Sequence, residues 1–127
     1  MRYKRQEAFR YVFGDPIPVL FKLTEVNGSQ VESGNGQAHI LDLSLKGMRI
    51  QSKLDLLHSK QDKIAVSLHF SLHVKEDVEQ KFILNGHLVW KEKHFDGFLY
   101  GLTLDIEKEK QQVLMDTLKE MSKTTQK

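Results

Sequence analysis

The sequence predicts an all-β domain, a six-stranded antiparallel barrel, followed by one C-terminal helix. Apolar and polar residues alternate with a period of two through most of residues 18–104, and turn-forming pairs such as Asn27-Gly28 and Asp96-Gly97 separate the runs. Beyond Ile106 the apolar period lengthens to that of a helix. With 127 residues and 39% hydrophobic side chains the chain suits one domain with a modest core, since a chain of that length buries roughly two thirds of its unfolded surface.

The first strand runs from Pro18 to Val26 and stops at Asn27-Gly28, a pair suited to the left-handed backbone of a tight hairpin turn. Gly34-Asn35-Gly36 closes a flexible loop before the second strand, Gln37 to Leu43, and the third, Gly47 to Ser52, follows after very few residues. In the fourth strand, the clearest, Ile64, Val66, Leu68, Phe70, Leu72 and Val74 take one face, while Ala65, Ser67, His69, Ser71 and His73 take the other. Lys75 to Glu79 is a charged turn. Phe82, Leu84, Leu88 and Trp90 mark a fifth strand, Lys81 to Lys91, in which Gly86 signals a bulge or a close backbone approach. After the Asp96-Gly97 turn, Phe98 to Leu104 is the sixth.

Val113, Leu114, Thr117, Leu118 and Met121 then form one stripe, so Ile106 to about Ser122 reads as an amphipathic helix covering a barrel opening or edge. The expected division is a basic arm at 1–15, the barrel at 16–105, the helix at 106–123 and a frayed tail at 124–127.

Composition narrows the function. Without cysteine there is no disulfide framework, thiolate metal site or cysteine nucleophile. No stretch approaches the run of about 18 apolar residues that a membrane helix needs. The basic start, Met1 to Arg5, is followed by Gly14, Asp15, Pro16 and Pro18 rather than a continuous apolar signal segment, so a cytoplasmic protein without membrane insertion is expected. Six histidines include His69 and His73, but on a strand four residues span about 13 Å, too far for one ion to bridge. Ser44 near Asp42 has no positioned histidine base or evident oxyanion hole, and neither a nucleophile elbow nor a phosphate loop is present. We therefore expect no enzyme, no metal and no cofactor.

The formal net charge is only +2, and it is unevenly spread. Arg2, Lys4, Arg5 and Arg10 against Glu7 give the first eleven residues a net +3, interleaved with Tyr3, Phe9 and Tyr11. Such an arm is either a solvated tail or a carrier of guanidinium and aromatic groups to an anionic, planar ligand. The segment Asp42-Leu43-Ser44-Leu45-Lys46-Gly47 also has two readings. As a tight turn, Asp42 caps local amides and Gly47 supplies the turn geometry. As a ligand site, Asp42 and Ser44 share one strand face beside a glycine that lets a ligand come close.

In order, the Arg5 to Arg10 segment, Asp42-x-Ser44-x-x-Gly47, Gly86-His87-Leu88-Val89-Trp90, the Gly97 to Leu104 strand and the terminal helix resemble the PilZ domain family over nearly the whole chain. The resemblance implies a small bacterial PilZ-like β-barrel of a kind that in many members binds the second messenger cyclic di-GMP. Asp42, Ser44 and Gly47 match the family's (Asp/Asn)-x-Ser-x-x-Gly motif, and Arg10 matches the last arginine of its Arg-x-x-x-Arg motif. Gln6 stands where the first arginine belongs, with Arg5 in the extra preceding position.

The implied ligand-binding set is Arg5, Gln6, Arg10, Asp42, Ser44 and Gly47, with Trp90 as an aromatic contact. Its chemistry suits the ligand: arginine forks onto a guanine O6/N7 edge or a phosphate, and a carboxylate accepts from the guanine N1 and N2 hydrogens. The implied function is a receptor that changes conformation on binding and acts on an unidentified protein effector in motility, exopolysaccharide or biofilm control. A PilZ protein-interaction module without nucleotide binding is the alternative. DNA or RNA binding is not expected, since most aromatics fall in apolar alternation rather than on an exposed stacking platform.

Overall fold

The computed structural model describes residues 10–32, 34–56, 61–75 and 77–125. Among these residues seven antiparallel strands, β1 (Tyr11–Val26), β2 (Ser29–Gln30), β3 (Gly36–Leu43), β4 (Gly47–Ser52), β5 (Ile64–Lys75), β6 (Val78–His94) and β7 (Gly97–Asp105), precede one helix, α1 (Lys108–Thr125). Six of them close a ring in the order β1-β3-β4-β7-β6-β5, with β5 pairing back onto β1. The antiparallel barrel with a C-terminal helix is therefore the fold. Closure removes the open edges that a six-stranded sheet would otherwise present.

β2 is only a two-residue return that pairs with the end of β1. It exists because Asn27 and Gly28 adopt φ values of 52° and 88°, the left-handed pair a two-residue hairpin turn demands. At the β6–β7 hairpin the expected turn shifts by one residue. Its loop is Phe95-Asp96, with Phe95 at φ 51°, and Gly97 already belongs to β7. Glycine is needed there for space, since a Cβ would lie 2.7 Å from the Ser52 carbonyl oxygen.

β1 begins at Tyr11, seven residues before the expected Pro18, and runs through Gly14, Asp15, Pro16 and Pro18. The ladder accommodates them because its register shifts between Val12 and Ile17 and because β1 pairs with β5 only from Leu20 onward. The prolines thus sit where a missing N–H forfeits little. The last five residues of the expected 1–15 arm lie in this strand, and residues 1–9 lie outside the described residues.

Inward-facing side chains of all six ring strands form one core, including Ile40, Leu43, Ile50, Leu68, Leu84 and Leu102. The alternation of β5 holds to Leu72, and Val74 is only half-buried. α1 packs against β5 and buries Leu114, Thr117 and Leu118. It starts two residues after Ile106, which is buried just ahead of it, and Val113 is turned outward, at 44% exposure, instead of joining the stripe. Among the described residues no helix is long and apolar enough to cross a membrane.

Candidate functional site

Two bulges shape the outer wall of the barrel. Between β3 and β4, Ile40 pairs with Ile50 and Asp42 with Arg49, so Leu41 is an extra residue. That insertion reverses the alternation of β3 and turns Asp42 from the inner face, where it would oppose Met48, to the outer face opposite Arg49. Between β6 and β7, Leu88 pairs with Leu102 and Trp90 with Gly101, so Val89 is extra. Trp90 would otherwise continue the inward series of Phe82, Leu84 and Leu88. The bulge puts it outside, 39% exposed.

The two shifts bring one register row into line across five strands: Trp90, Gly101, Arg49, Asp42 and Val12. Arg49 Nε donates to Asp42 Oδ2 at 2.7 Å, and Arg10, just ahead of β1, donates from a terminal guanidinium nitrogen to Oδ1, also at 2.7 Å. The Asp42 side chain is 3% exposed, whereas those of Arg10 and Arg49 are 49% and 44% exposed. One buried carboxylate therefore anchors two guanidiniums, one per oxygen, and leaves the cluster with a net positive charge facing outward. Of the two readings of this segment, the one in which Asp42 caps local backbone amides finds no such bond among the described residues, where the partners of Asp42 are side chains from two other segments.

Capping falls to Ser44, which opens the turn after β3 and is not part of the strand. Its Oγ accepts from the amides of Lys46 and Gly47 at 3.3 and 3.2 Å, and its own amide donates to the Gly47 carbonyl at 2.9 Å. Asp42 and Ser44 therefore do not present a shared strand face. Gly47 does not supply a left-handed turn residue either, because its φ is not positive. It makes room: a Cβ would stand 3.0 Å from the Leu102 carbonyl oxygen of β7.

Trp90 rests against its neighbour strand at Gly101. A Cβ on Gly101 would meet Trp90 Nε1 at 2.1 Å, so the missing side chain is what lets the indole rest on the β7 backbone. Arg10, Arg49, Gly47, Trp90, Gly101 and Thr103 line a shallow cleft of about 290 Å³. A larger hollow of about 660 Å³ lies at the far end of the β3–β4 pair, near His39 and Gln51. Among the described residues of its lining Lys53 is the only formally charged one, and its charge is paired with Asp96. The smaller cleft is therefore the chemically equipped one.

Of the residues singled out in the sequence, Arg10, Asp42, Gly47 and Trp90 come together here, with Ser44 bracing the turn beneath. Arg5 and Gln6 lie outside the described residues. Arg49 is the member that sequence reasoning missed. Its outward place in β4 reads as an ordinary solvated charge, and nothing local shows that Asp42 faces it. His69 and His73 both stand exposed on β5, and among the described residues no three metal-ligating side chains gather.

A closed six-stranded barrel with a terminal helix and two guanidiniums fixed on its outer wall defines a small-barrel class with a cationic surface site. The chain belongs to the PilZ domain family, whose model matches residues 4–120. Among solved structures it is similar to the Bacillus subtilis inhibitor of motility (MotI/DgrA), with a TM-score of 0.68 at 11% sequence identity. That likeness covers 100% of this chain and 56% of the other, so the chain spans a little over half the length of that relative. No curated protein matches it in sequence.

Proposed function

We propose that this PilZ domain is a cyclic di-GMP receptor that regulates a protein partner. The observation that carries the reading is the pair of guanidiniums anchored 2.7 Å from the two oxygens of Asp42, beside an exposed tryptophan. Cyclic di-GMP has two phosphodiester charges and two guanines, and this cluster offers its complements: fixed cationic forks for phosphate or the guanine O6/N7 edge, and an aromatic face for stacking.

Asp42 in this reading acts through the arginines. With both oxygens engaged and little surface exposed, it orients the forks rather than contacting guanine itself. Arg5 and Gln6 contribute from the N-terminal arm, and closure of that arm over the nucleotide creates the surface a partner recognises. A cytoplasmic location follows from the ligand. Likeness to an inhibitor of motility favours motility among the outputs.

Calorimetric titration with cyclic di-GMP, with GTP and single-stranded DNA as controls, tests the proposal. Selective binding of cyclic di-GMP is expected. No heat at high micromolar ligand would favour the protein-interaction module without nucleotide.

A further inference from the structure

The arm has glutamine at position 6, and the cyclic di-GMP reading therefore lacks one of two guanidiniums at the motif positions. The barrel wall offers a replacement. Arg49 is held on the opposite oxygen of Asp42 from Arg10, through Nε alone, and among the described residues its two terminal nitrogens make no other hydrogen bond. Its neighbour in the register row is Gly101, the residue on which the Trp90 indole rests, so guanidinium and indole flank one glycine floor. Its side chain is 44% exposed, directed into the same cleft as Arg10.

We propose that Arg49 is a direct ligand contact, supplying in this chain the second guanidinium that Gln6 does not. This rests on the cyclic di-GMP reading and extends it to a residue outside both motif segments. An arginine fixed through Nε keeps two parallel N–H donors free for a phosphate or a guanine edge, and its anchor sets their direction before the ligand arrives. Arg10 and Arg49 share that anchor. The two forks are therefore spaced by one carboxylate, and Trp90 bounds the cleft on the β6 side.

The test uses the whole chain and cyclic di-GMP, read by calorimetry and by the fluorescence of Trp90, the single tryptophan. Arg49→Ala should weaken binding about tenfold or more, the loss of one charged hydrogen-bonding partner. It should also flatten the dependence of affinity on salt, because one cationic contact is gone. Arg49→Lys should restore the salt dependence but only part of the affinity, since an ammonium has the charge without the fork. Gln6→Arg placed on Arg49→Ala should recover affinity, and Lys81→Ala, near the opposite end of β6 from Trp90, should change neither. Circular dichroism shows that each variant is folded.

If Arg49→Ala binds as tightly as the parent, or more weakly with an unchanged salt dependence, Arg49 only braces Asp42 and the direct contact is wrong. Failure of the parent chain to bind is a different result. It overturns the cyclic di-GMP reading, and the role given to Arg49 falls with it.

Discussion

Asp42 has one arginine on each oxygen, and that sharing sets an order among variants. Removing Arg10 or Arg49 alone leaves the carboxylate with one partner, at a cost of about 1 to 2 kcal/mol for a half-exposed charged contact. Removing both takes away the two groups that pair with and cover a carboxylate only 3% exposed in their presence, so the cost should exceed either single change and reach at most about 3 to 5 kcal/mol, the loss from a fully buried pair. Asp42→Ala should cost less than the double arginine variant, because both freed guanidiniums already reach water. Urea unfolding of the four variants checks the order, and a double variant no worse than Asp42→Ala would show that the carboxylate is not held as described.

Tyr100 presents a second residue-level case. Fully buried, it donates from its hydroxyl to the Leu54 carbonyl at 2.6 Å and accepts from the Leu56 amide at 2.7 Å, which pins the chain after β4. Tyr100→Phe removes both bonds and should cost about 1 to 3 kcal/mol. Burial raises the phenol above its ordinary value of 10.0; the hydrogen bond from Leu56 opposes this and Asp55 adds to it. The folded state thus holds this proton more tightly than the unfolded chain. Its contribution is complete below about pH 10 and is lost as pH rises through the raised folded value, so alkaline unfolding should be steeper than in Tyr100→Phe.

Among the elements, those with a periodic pattern were legible. β5 shows its inward face residue by residue, and Asn27-Gly28 announces its turn because the backbone there needs left-handed φ. The bulges at Leu41 and Val89 were not. Each is fixed by what stands across the ladder, and the local sequence offers no mark of it. The consequence reaches the site, since the strict alternation of β6 would have turned Trp90 into the core and that of β3 would have pointed Asp42 inward, away from both arginines. The candidate residues were readable as a motif, while their facing, and Arg49 with it, depended on strands distant in sequence.

Gly101→Ala tests this arrangement. The added methyl cannot coexist with an indole nitrogen 2.1 Å away, and the exposed indole has solvent to swing into. We expect a red shift of Trp90 emission and a stability loss of about 1 to 3 kcal/mol. Unchanged emission would mean that the indole does not rest on Gly101.

Over the whole molecule, the helix packing and the site sit on different parts of one closed ring. The cleft is built on β4, β6 and β7, with Arg10 reaching in from the start of β1. α1 covers β5, on the part of the ring that makes no row with Asp42, and sinks Leu114 and Leu118 completely. Leu118→Ala opens a cavity in that packing and should cost about 2 to 5 kcal/mol. The cleft should keep its geometry, because the ring is closed by strand pairing rather than by the helix. A ligand that binds only the folded chain stabilises it by about 2.7 kcal/mol at a hundredfold excess over Kd, whatever the starting stability. Cyclic di-GMP should therefore raise the stability of Leu118→Ala by the same free energy as that of the parent, even though the variant melts lower, while Arg49→Ala should show the reverse: a smaller loss of stability and a much reduced ligand-dependent gain. Chemical unfolding with and without the nucleotide separates the two. Loss of the gain in Leu118→Ala would mean that the helix is coupled to the cleft through the barrel, and the division of the ring into a supporting side and a binding side would be wrong.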